Sequence, residues 1–175
     1  MPSRYISRDG GILADRFTDG PYIFQNVHTL GGAARHTAAH TALLRAAAKS
    51  LFGFDPEITA DELRRRIARL TEACRMPSRV SVRAVVRLYP TGRIEIACDE
   101  PSIYAGYVLR SLRPDAICLR MAPPLPSLPT SAAEHTRLLA DTMARTRGAR
   151  TAILTDSDGT VISESAQPIF IVNGY

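Results

Sequence analysis

Four prolines fall within the eight residues from Ala122 to Pro129, APPLPSLP. Each fixes φ and removes a backbone donor, so neither a helix nor a strand ladder runs through such a segment. The chain is therefore expected to fold in two parts joined by an extended connection. The expected division is an N-terminal α+β domain over residues 1–121, a proline-rich linker over 122–130 and the start of a second unit over 131–175. With 175 residues, 45% of them hydrophobic and 22% charged, there is material for one full globular domain or one and a half small ones.

Ahead of the prolines, the patterns alternate between strand and helix. Residues 4–13 are polar and broken by glycine, with room for one edge strand. Tyr22 to Leu30 alternates as a strand, and Gly31-Gly32 turns the chain. Thr37 to Phe52 is alanine-rich with Leu43, Leu44 and Leu51 in helical register, and Gly53 stops it. Thr59 followed by Glu62 has the spacing of a capping box, opening a helix whose stripe is Leu63, Ile67 and Leu70. Val80 to Leu88 and Ile94 to Cys98 flank Tyr89-Pro90-Thr91-Gly92 as a hairpin. Residues 102–112 carry no clear pattern, and Ala116 to Met121 reads as a strand. The Tyr22 strand, the two helices and the hairpin are expected to build one sheet.

Behind the prolines, Ala132 to Arg147 is helical in pattern. Gly148 to Val172 then reads as two or three buried strands around the turn Asp156-Ser157-Asp158-Gly159, where Gly159 can take positive φ. The strands are Ala152 to Leu154, Thr160 to Ile162 and Pro168 to Val172.

Charge and motifs exclude more than they identify. The net charge is +5, and Lys49 is the only lysine. The arginines are spread along the chain, and the run Arg64-Arg65-Arg66 sits beside Asp61 and Glu62, as on a solvated helix face. Nucleic acid is accordingly not an expected partner. Cys74, Cys98 and Cys118 form no CxxC pair and read as free thiols. His36 and His40 lie one helical turn apart, but Thr37 stands where a zinc-protease helix needs glutamate, so no metal site is expected. The turn at Asp156 lacks the later glutamate of a calcium loop. No apolar run reaches the roughly 18 residues of a membrane span and no signal core opens the chain, so a cytoplasmic protein without a membrane partner is expected.

Several strings, in a shared order, resemble the class IV aminotransferases, the fold-type-IV pyridoxal-phosphate enzymes that include branched-chain and D-amino-acid aminotransferases and aminodeoxychorismate lyase. Phe24-Gln25-Asn26-Val27-His28 resembles the family's FEGIR strand. His40-Thr41-Ala42-Leu43-Leu44, continuing to Ala48, resembles its HxxRL helix. Leu138-Leu139-Ala140, Ala144, Gly148-Ala149, Ala152-Ile153-Leu154 and Gly159-Thr160-Val161 follow its second-domain core, and Ile169-Phe170-Ile171-Val172 its NIFxV strand. The resemblance implies a small N-terminal α+β domain, part of a barrel-like second domain, and a homodimer.

It also implies chemistry whose residues are replaced. The family's imine-forming lysine falls on Thr130, or on Pro129 with a one-residue shift. Its glutamate beside the pyridine nitrogen falls on Ser163, with Glu164 one residue out of register. Its phosphate-binding arginine falls on His28, and Pro168 replaces the asparagine of NIF. Family members also continue beyond this length, so the chain reads either as a fragment of a longer protein or as a truncated member that closes its sheet by association. The expectation is a non-catalytic relative, a pseudoenzyme without pyridoxal phosphate, keeping a small-molecule pocket or an interaction role. The alternative is an active aminotransferase or aminodeoxychorismate-type lyase using Lys49 or residues outside this chain. An arginine-based nucleic-acid binder is the third reading.

Overall fold

The computed structural model describes residues 5–77, 79, 81–102 and 115–164. It divides into two compact units, Met1–Val108 and Leu109–Tyr175.

The first unit is a six-stranded antiparallel sheet with two helices. β1 (Ile6–Arg8), β2 (Gly11–Leu13), β3 (Ile23–Leu30), β4 (Ala33–Ala34), β5 (Ser81–Leu88) and β6 (Ile94–Ser102) run in the order β2-β1-β6-β5-β3-β4. Alternation decides the faces. On β5, Val82, Ala84, Val86 and Leu88 are buried, while Ser81, Arg83, Val85 and Arg87 point the other way and are more open. On β3, Ile23, Val27 and Thr29 continue the buried face, and Asn26, His28 and Leu30 are exposed on the opposite one. α1 (Thr37–Phe52) packs on β3, and α2 (Ala60–Ala73) packs on β6 and β4. The stripe of α2 is as expected, since Leu63, Ile67 and Leu70 are each 0% exposed. Burying each contributes roughly 1.5–3 kcal/mol.

Three local expectations change. Residues 4–13 hold two strands, β1 and β2, turning at Asp9-Gly10, because Ile6↔Ala97 and Arg8↔Glu95 pairing draws β1 into the sheet beside β6. On α1, Leu44 is buried but Leu43 is 55% exposed. The Thr59 hydroxyl caps the Glu62 amide at 3.2 Å, whereas the Glu62 carboxylate bonds Arg65 and Arg66.

The second unit is a three-stranded sheet, β7 (Ala116–Arg120), β8 (Thr151–Thr155) and β9 (Val161–Glu164), with α3 (Ser131–Thr146). β7 pairs with β8 in parallel and β8 with β9 antiparallel. A parallel pair needs a crossover, and α3 supplies it. Its core is Leu119, Ala140, Ala144, Ala149, Ala152 and Leu154. This pairing moves the division between units ahead of the proline stretch. Ala116–Arg120, assigned to the first domain on sequence, finds its ladder partner in β8, and residues 122–130 are the β7-to-α3 connection. At the β8–β9 turn, Asp156 Oδ1 accepts from the Asp158 and Thr160 amides at 2.9 Å each, and Gly159 has φ 85°. The expected strand Pro168–Val172, and residues 103–112, lie outside the described residues.

Candidate functional site

The uncovered face of the first sheet carries the sequence-identified residue His28. Strand alternation exposes it, its Nδ1 lies 3.4 Å from Ser81 Oγ, and its cross-strand partner is the exposed Arg83. An imidazole and a guanidinium side by side on one ladder offer a polar, donor-rich patch. Arg83 was not singled out on sequence, since its place beside His28 depends on the β3–β5 register.

The same face is partly covered further along by residues 14–22, and the fastening is a fully buried carboxylate. Glu95 is 0% exposed and accepts from Arg8 Nε at 2.6 Å, the Thr18 amide at 2.7 Å, Thr18 Oγ1 at 2.6 Å and Tyr89 Oη at 2.9 Å. Burial pushes this carboxyl up, but the Thr18 hydroxyl and amide, Arg8 and Tyr89 outweigh it and hold Glu95 below the usual carboxylate range. Burial, and then Glu95 itself, push the Tyr89 hydroxyl up to about 12. Beside them the Arg87 guanidinium lies 4.0 Å from the ring centres of both Phe17 and Tyr22. This cluster is structural. Its donor residues, Arg8, Thr18 and Tyr89, come from three separate segments, which no local pattern brings together.

In the second unit, Thr130 is the N-cap of α3. Its Oγ1 accepts from the Ala133 amide at 3.2 Å, its carbonyl accepts from the Glu134 amide at 3.0 Å, and the residue is 8% exposed. Ser163, on β9, pairs with Leu154 of β8, and its Oγ is buried without a hydrogen-bond partner among the described residues. Glu164 takes the next register position, opposite Ile153. His28 belongs to the first unit, while Thr130 and Ser163 belong to the second.

A cofactor held as an imine requires a lysine amine. The chain's single lysine, Lys49, is exposed in the last turn of α1 beside Asp55, on the helix-covered side of the sheet and away from the His28 face. At the start of α3 the candidate position carries a hydroxyl already engaged by the helix. Among the described residues, neither the start of α3 nor the His28 face presents an amine for an imine-bound pyridoxal phosphate.

His40 Nδ1 lies 2.8 Å from Gln25 Oε1, and burial, followed by the nearby His36 and His28, lowers the His40 pKa. His36 stands at the N-cap of α1 with φ 52°. Among the described residues, no group of three or more His, Cys, Asp or Glu could hold a metal ion.

No protein-family profile matches the chain, and no curated sequence does. Solved structures do. Branched-chain aminotransferase from Thermoproteus uzoniensis, solved with norvaline, has a TM-score of 0.67 at 19% identity, covering 93% of this chain and 63% of that one. An aminotransferase from Brucella abortus bound to the cofactor PLP has a TM-score of 0.71 at 14% identity, covering 97% and 68%. A hypothetical aminotransferase from Mycobacterium tuberculosis, in a form binding α-ketoglutarate and PMP, has a TM-score of 0.69 at 17% identity, covering 92% and 65%. This chain therefore spans about two thirds of the length of the structures it matches. Over that span, the β-sheet unit with its two helices and the β7–α3–β8–β9 unit together carry the mixed α+β fold of the class IV, branched-chain-type aminotransferases.

Proposed function

We propose that this protein is a class IV aminotransferase-like scaffold that does not form the cofactor imine and that serves to bind a small ligand or a protein partner. The observation that carries this reading is Thr130. At the position where the resemblance puts the imine lysine, a hydroxyl caps α3, and the one lysine of the chain stands elsewhere, on α1. The best-placed ligand surface is the open face around His28 and Arg83. Charge-assisted hydrogen bonds there suit a small carboxylate or phosphate ester. Among the described residues no helix is long and apolar enough to cross a membrane, and we place the protein in the cytoplasm as a homodimer.

The second reading is an active pyridoxal-phosphate aminotransferase or lyase using Lys49 or residues outside this chain. It is favoured by the cofactor forms, PLP and PMP, named for structures of the same fold. Titration with pyridoxal phosphate separates the two. The proposal predicts no saturable visible imine band. A saturable band that disappears in Lys49→Arg would establish the second reading. Sedimentation at micromolar concentration tests the dimer, and a monomer there would refute it.

A further inference from the structure

On the helix-covered side of the first sheet, at its β4 edge, a groove of about 420 Å³ lies between α2, the β3–β4 turn and the start of β5. That volume is within the range of small-ligand sites. The groove is open because several positions along it carry little or no side chain. The hairpin turn Gly31-Gly32 needs positive φ at both residues and has 63° and 75°, and a methyl group added at either would meet no atom within 4 Å. Ala33 and Ala68 add only a methyl group each. The end of α2 sets the far wall. Cys74 is the C-cap, the Arg75 amide bonds Glu72 O at 2.9 Å, and the Met76 amide bonds Thr71 O at 3.0 Å, the two bonds of a Schellman motif. The left-handed position, usually glycine, is Arg75 at φ 51°, and the turn carries Met76 and Pro77 to the groove.

The middle of the groove is apolar and its hydroxyls are engaged. Val82 is 1% exposed, the Thr29 hydroxyl exchanges hydrogen bonds with the Val82 backbone at 3.2 Å each, and the Thr71 hydroxyl donates to Ala68 O at 2.8 Å. Charge is confined to Arg64 and Glu72, a little over two turns apart on α2, or about 12 Å along its axis. The Arg64 guanidinium bonds Asp61 Oδ1 at 2.6 Å and the buried Thr37 Oγ1 at 3.2 Å, which fixes it in place with two of its five N–H groups used. Glu72 is exposed. We propose that this groove binds a short apolar peptide of about three residues, its free carboxylate on Arg64 and its free amine on Glu72. Three extended residues span about 10 Å, and two long side chains leaning inward cover the remainder, whereas a single amino acid is too short to meet both charges. The apolar side chains of the peptide lie against Ala68, Met76 and Val82. The site is on the opposite side of the sheet from His28 and does not depend on how that face is read.

The test titrates trivaline into the isotope-labelled full chain and follows backbone amide shifts. Saturable shifts at Gly31, Gly32 and Ala68 are expected, with a Kd on the order of 1 mM at low salt. Acetylating the peptide amine or amidating its carboxylate should each weaken binding about tenfold. In Arg64→Gln the amide cap should no longer matter while the acetyl cap still does, and in Glu72→Gln the reverse should hold. Ala68→Leu, at an exposed helix position that tolerates leucine, should abolish binding at an unchanged thermal midpoint. Free valine should bind at least about tenfold more weakly than trivaline. The proposal is overturned by any of four results: no saturable shift at the groove, cap effects that persist in the matching variants, binding that survives Ala68→Leu, or valine binding as tightly as the peptide. Shifts confined to the His28 face, lost in His28→Ala, would overturn it as well.

Discussion

The Thr130 side chain holds the first turn of α3, and that role explains why a hydroxyl suits the position. Its oxygen satisfies one of the orphan amides at the helix start, which a lysine cannot do. Thr130→Ala is expected to cost about 1 kcal/mol, read as a lower denaturant midpoint at unchanged slope, while Thr130→Ser stays close to the native protein. A Thr130→Ala variant of native stability would remove the capping account. Single residues enter the sequence reading wherever a short string carries them. His28, Thr130 and Ser163 could all be named before their surroundings were known. Glu95 could not, because its partners Arg8 and Thr18 are 87 and 77 residues away in the chain, and Arg8 meets it through the β1–β6 pairing.

Among the elements, α2 supplies two further predictions. Arg75 occupies a left-handed conformation that costs a residue with a Cβ roughly 1 kcal/mol, so Arg75→Gly should stabilise the protein by up to about that amount in chemical denaturation. A destabilised Arg75→Gly would contradict the Schellman geometry. The pH dependence follows from Glu62, Glu95 and Tyr89. Hydrogen bonds from Arg66 and then Arg65 lower the Glu62 carboxyl to about 2, and Glu95 is lowered too. A carboxyl with a depressed folded pKa stabilises above its unfolded value, near 4.3, and that contribution fades as pH falls through the folded value. Tyr89 is raised to about 12, so its contribution is complete below about 10 and fades as pH climbs from there toward 12. Stability plotted against pH should therefore decline on both sides. Glu62→Gln should flatten the acid arm, more visibly at low salt, and Tyr89→Phe the alkaline one. Arms left unchanged by both substitutions would refute the assignment. The helices and the β5–β6 hairpin were legible from period, caps and turn chemistry. β1 and β2 were not, because a polar, glycine-broken stretch shows no alternation.

For the whole molecule, the proline stretch reads on sequence as the joint between two parts, whereas β7 ahead of it ladders with β8 beyond it. A parallel strand pair is non-local, so nothing in Ala116–Arg120 itself reveals that its partner is Thr151–Thr155, beyond the prolines and a full helix. The fold as a whole was legible through the order of short strings, which the solved structures of 14–19% identity bear out. What those strings could not give is chemistry, because the reactive positions are individual side chains that a fold can lose while keeping its core. The central claim is that this scaffold forms no cofactor imine. One equivalent of pyridoxal phosphate, reduced with borohydride and followed by the intact mass of the chain, tests it most directly. The account predicts an unmodified mass, and a stoichiometric reduced adduct mapping to Lys49 would contradict it.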